Sequence, residues 1–106
     1  MIKRVFGIFD IKAETYLNPF FESTTGQATR AFSDAVNSRD HPFGRHPNDF
    51  SLRELGTFDT DSGVFVCHRQ PIHVAEAIQF MNIAKLQRDT DMFGSDSVDP
   101  KTGEIL

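Results

Sequence analysis

From Thr25 to Asn37, the apolar residues Ala28, Ala31, Phe32, Ala35 and Val36 recur at i, i+3, i+4, i+7 and i+8. That spacing gathers them on one stripe of a helix and leaves the opposite side polar. Ser23 or Thr24 can cap the start, and Asn37 suits the end. Arg30 and Asp34 are four apart and can pair along an edge. Residues 38–50 cannot continue the helix, because the stretch HPFGRHPND (41–49) crowds Pro42, Gly44 and Pro47 together. A one-sided helix that stops this abruptly needs a sheet or a second helix to cover its stripe.

The flanking segments supply strands. Residues 2–9, IKRVFGIF, carry apolar side chains on both alternating faces, which predicts a strand covered on both sides. Gly7 weakens it locally or lets another group approach its backbone. Residues 10–18 read as a polar connection, Pro19 ends regular structure, and Phe20 and Phe21 follow as an apolar plug. Residues 51–59, SLRELGTFD, alternate weakly. Asp59-Thr60-Asp61-Ser62-Gly63 is turn chemistry, and Val64 to Cys67 completes a hairpin. After Pro71, Val74, Ala77, Ile78 and Met81 trace a second helical stripe, extended by Lys85 and Leu86.

The expected order is β-α-β-β-α: a small α/β or α+β domain with a three-stranded sheet and two helices. Strands one and two can be parallel through a right-handed crossover. Two helices can cover one face, leaving the other wet or in contact with a second copy.

Charge divides the chain. Residues 1–88 are neutral and read as the domain, whereas residues 89–106 gather five acids against the single Lys101. The composition of that tail suits disorder. Such a tail keeps a protein soluble; it can also compete for a nucleic-acid groove or serve as a docking peptide. The chain is short enough that oligomerising would add stability. Its eleven Phe residues are too many for ornament. Most should build the core, and one or two can remain exposed for stacking.

The sites that carry chemistry are few. His41 and His46, with Asp40 and Asp49 nearby, lack the ligand number that zinc needs, and the His-Pro dipeptides read as a stiff connector. Asp59-x-Asp61-x-Gly63 lacks the later glutamate of a calcium loop. Cys67, the only cysteine, falls in a strand and is expected to be buried and inert. No nucleophile elbow, phosphate-binding loop or paired-acid signature is present. No catalytic residue, metal or cofactor is therefore assigned. No apolar run is long enough to span a membrane, and Asp10 and Lys12 interrupt the N-terminus too early for a signal peptide, so the chain reads as soluble and intracellular.

Four stretches in order resemble one family. FDIKAETYLNPFF (9–21), RAFSDAVNS (30–38), HPND (46–49) and LRELGTFDTDSG (52–63) are similar to motifs of the small nonstructural protein of gokushovirus-type single-stranded DNA microviruses. Ile11 and Asn18 depart from that pattern, and the resemblance covers residues 3 to about 66. It implies a non-enzymatic role in viral DNA replication in the host bacterial cytoplasm, by binding single-stranded DNA as genome synthesis turns single-stranded. On that reading Lys3, Arg4, Lys12, Arg30 and Arg45 would meet phosphates, and Tyr16 or Phe20 would stack on bases. Homo-oligomers would multiply weak sites. The rival expectation is a protein-interaction adaptor for virion assembly or host replication proteins, which the neutral body suits equally well. Cations gathered on one face would favour DNA; scattered cations beside an exposed apolar patch would favour protein.

Overall fold

The computed structural model describes residues 1–81. The strands are β1 (Ile2–Asp10), β2 (Thr15–Tyr16), β3 (Phe20–Glu22), β4 (Phe50–Asp59) and β5 (Phe65–Glu76). Helix α1 (Thr25–Val36) lies between β3 and β4. It is followed by a one-turn helix, α2 (Pro42–Arg45), and a 3₁₀ turn (Ala77–Phe80) follows β5. The fold is α+β, with one five-stranded antiparallel sheet.

The strand order corrects the three-stranded expectation. β4 pairs along one edge of β1, and β2 and β3 share the other edge. The segment read as a polar connection and a plug is thus an interrupted edge strand. It pairs through Phe9–Tyr16 and Phe6–Phe20 and breaks around Pro19, where an edge tolerates the missing N–H. Because β1 and β4 are antiparallel, no parallel crossover occurs.

The second long helix is also corrected. β5 continues through Pro71 to Glu76, and among the described residues that follow it only Ala77–Phe80 turn helically. Pro71 fits because residues 68–71 leave the ladder: Cys67 pairs with Gly56, but the next pair is Ile72 with Glu54. On β4 the same irregularity leaves Leu55 as a bulge between Glu54 and Gly56. Lys85, Leu86, the 1–88 boundary and the acidic tail lie outside the described residues.

Helix α1 follows its pattern. Thr24 Oγ1 accepts from the Gln27 N–H at 3.1 Å, and Asn37 closes the C-terminus. Ala28, Phe32 and Val36 are buried against Phe6, Ile8, Phe50 and Leu52 of the sheet. Ala31 turns out to be exposed, and among the described residues Arg30 and Asp34 form no ion pair. The His-Pro segment is a connector with a short helix inside it. Pro42 starts α2, His41 Nδ1 accepts from the Phe43 N–H, and Phe43 packs on Phe32 and Phe50. The Asp49 carbonyl then accepts from Ile11 N–H at 2.9 Å, fastening the connector to the end of β1.

Candidate functional site

Direct cross-strand partners share a face, so the register sorts the sheet into two sides. Arg4, Phe6, Ile8, Leu52, Glu54, Phe20 and Ala75 lie on the side that carries α1. On the other side lie Lys3, Val5, Gly7 and Phe9 of β1, with Tyr16, Phe21, Arg53, Phe58, Phe65, Cys67 and His73. None of the helices packs on this second side among the described residues.

The open side carries five aromatic rings in two groups. Near the Asp10 end of β1, Phe9 and Tyr16 pack with centroids 5.0 Å apart, and the Arg53 guanidinium lies 4.6 Å over the Phe9 ring. Arg53 also donates to the Tyr16 hydroxyl at 3.2 Å, while its Nε is buried without an acceptor. Gly7 keeps this spot flat, because a Cβ there would stand 3.1 Å from both Leu55 and Tyr16 carbons. Near the hairpin tip, Phe21, Phe58 and Phe65 cluster at 4.6–6.2 Å between centroids. Phe21 and Phe65 remain 42% and 55% exposed. An apolar depression beside them is lined by Val5, Pro19, Leu55, Gly56, Thr57, Phe65 and Cys67.

Charge is unequal between the sides. Lys3 and Arg53 are on the open side, and its one strand acid, Glu76, is engaged with His73 Nε2 at 2.8 Å. Asp10, Glu22, Glu54 and Asp59 share the registers of the helix side.

Of the residues singled out in the sequence, Lys3 and Tyr16 share this face but stand at opposite ends of it, Lys3 across from Phe58 and Tyr16 across from Phe9. Phe20 is on the opposite side, stacked on Phe6 and packed against the core. Arg4 is also opposite, paired with Glu54 at 3.1 Å. Lys12 is exposed in the turn after β1, Arg30 is on the outside of α1, and Arg45 donates to the Asp40 carbonyl within the connector. The five cations named for phosphate contact are therefore scattered. Cys67 is in a strand but exposed, because its register with Gly56 and Val5 puts it on the side of the sheet that no helix of the described residues covers. Among the described residues no three His, Cys, Asp or Glu side chains gather as metal ligands, and no helix is long and apolar enough to cross a membrane. Among the members of this face, sequence reasoning misses Phe58 and Phe65; the alternation of the 51–67 hairpin is the available signal.

The family model described as Phage ORF5 protein matches residues 3–80, which takes in all five strands and α1. The chain belongs to the phage ORF5 protein family. No curated protein and no solved structure matches it. In this ORF5 family member the matched span includes every residue of the open face named above.

Proposed function

We propose that this ORF5 family member is the nonstructural protein of a gokushovirus-type microvirus, and that it assists viral DNA replication in the host cytoplasm without catalysing a reaction. It binds single-stranded DNA on the open face of the sheet. The observation that carries this reading is the set of five rings on a helix-free face, two of them about half exposed, with Lys3 and Arg53 among them. Unpaired bases stack on such rings whatever their sequence, at roughly 1–3 kcal/mol per base. Stacking carries most of the affinity here, and the scattering of Lys12, Arg30 and Arg45 leaves little for phosphate contact.

Fluorescence anisotropy of labelled single- and double-stranded oligonucleotides over a salt series tests it. Single strands bind in preference to duplex, Phe21→Ala and Phe65→Ala weaken them, and Kd depends shallowly on salt. Two phosphate contacts give a log–log slope of about −1.4. No binding at low salt, or binding indifferent to both substitutions, sinks the proposal.

A specific observation favours a second reading. The Phe21–Phe58–Phe65 cluster beside an apolar depression, with the cations dispersed, is the arrangement that suits a protein partner. On that reading the face docks a viral or host replication protein, and the anisotropy experiment returns no DNA binding.

A further inference from the structure

Two edges of the sheet differ sharply. The β2/β3 edge is short and broken at Pro19. The β5 edge offers the uninterrupted run Val64-Phe65-Val66-Cys67, whose first three residues are 52–63% exposed. Natural sheets guard such edges with charge, proline or a bulge. Here the guards, Arg69 and Pro71 in the excursion 68–71, begin only after Cys67.

The backbone of that run has a defined polarity. The Val64 carbonyl accepts from the Asp59 N–H at 3.0 Å, and the Val66 carbonyl lies over Gly56, 2.3 Å from where a Cβ would stand. Residues 64 and 66 therefore turn their polar groups toward β4. Alternation aims those of Phe65 and Cys67 outward, where no strand of the described residues receives them.

We infer that this edge joins two copies of the chain, β5 to β5, antiparallel about a two-fold axis through Val66. In that register Phe65 of each copy exchanges both backbone hydrogen bonds with Cys67 of the other. The paired run is uncharged, so no like charges meet within it. Beyond it, Arg69 of each copy lies toward the 59–63 turn of the other, which carries Asp59 and Asp61, so the flanking charges are opposite in sign. Pairing of β5 with the β2/β3 edge of a next copy would instead give an open chain of subunits, and Pro19 obstructs it. The axis runs perpendicular to the sheet, so the open faces of both copies look the same way. The joint holds whatever that face binds. The contact is shorter than a standard interface, and the dimer accordingly dissociates on dilution.

Sedimentation velocity of the full chain across a concentration series tests this, with Val66→Lys and Val66→Glu beside the unsubstituted protein. Val66 is 63% exposed, so both variants fold, which circular dichroism and thermal melts check. Each variant sets like charges against one another across the axis and weakens the dimer by about fivefold. An equimolar mixture of the two restores dimerisation. A full chain that stays monomeric throughout overturns the inference, as does self-association that both substitutions leave unchanged. Failure of the mixture to recover overturns the proposed register. If the edge is instead covered by residues 82–106 of the same chain, the first of these outcomes is observed.

Discussion

Glu54 Oε2 lies 2.7 Å from Nε2 of His68, joining β4 to the excursion of β5 exactly where the ladder is interrupted. The other carboxylate oxygen accepts from Arg4 at 3.1 Å and from the Thr25 hydroxyl at 3.4 Å, so one buried acid ties together three strands and the first turn of α1. Burial alone would push the Glu54 carboxyl up. The hydrogen bonds from His68 and Arg4, with their charges, outweigh that and hold it below the ordinary value.

The first prediction follows from the sign of that shift. A carboxyl whose pKa is lower in the folded protein contributes stability above its unfolded pKa, near 4.3, and that stability is lost as pH falls through the folded value. Urea unfolding midpoints should fall between pH 5 and the acid range, and fall less steeply in Glu54→Gln. At neutral pH that variant should be about 1–3 kcal/mol less stable, the partial exposure of Arg4 and His68 limiting the loss.

Core and open face should respond differently to truncation. Phe32 is 2% exposed and packs on both Phe43 and Phe80. Phe32→Ala should cost about 3–5 kcal/mol in chemical denaturation. Phe21→Ala, on the open face, should cost about 1 kcal/mol.

Two glycines separate backbone crowding from helix propensity. A Cβ on Gly56 would stand 2.3 Å from the Val66 carbonyl oxygen and 2.8 Å from the Cys67 Cα. Both are backbone atoms, so Gly56→Ala should destabilise by about 3 kcal/mol and loosen the hairpin, visible as faster amide exchange over residues 56–67. Gly26 is in the first turn of α1, with its nearest neighbour, Thr24 Oγ1, at 3.8 Å. Gly26→Ala should raise the unfolding free energy by up to about 1 kcal/mol.

Arg53 provides a test of how the open face works. Arg53→Lys keeps the charge and gives up the planar stack on Phe9 and the fork that reaches Tyr16. Under the stacking proposal, anisotropy should show several-fold weaker single-strand binding with an unchanged salt slope. A changed slope with unchanged affinity at low salt would mean that Arg53 acts as a point charge.

How much of this was legible in the sequence depends on how local the signal was. Helix α1, its Thr24 cap and the Asp59–Gly63 turn are set by neighbours within a few residues, and all are found where their spacing placed them. The edge segment 15–22 was opaque because its strands are too short to show alternation and are held by β1, not by one another. The stripe Val74-Ala77-Ile78-Met81 imitated a helix because the end of a strand runs into a 3₁₀ turn, which inserts a short helical spacing after an extended one. The open face could not be assembled beforehand. Its members come from five strands, and the Leu55 bulge decides which residues of β4 share a side with Phe9 and which with Phe6.

Helix α1 seats on the half of the sheet that runs from Phe6 toward Asp10, and the remainder projects past it, with Lys3, Phe58 and Phe65 beyond the clamp. The molecule is in this respect a cantilever, anchored at one end and free at the other. Exposed side chains on the free span, Phe21 and Phe65 among them, can be exchanged without disturbing the anchorage, so sequence change at those positions costs the fold little.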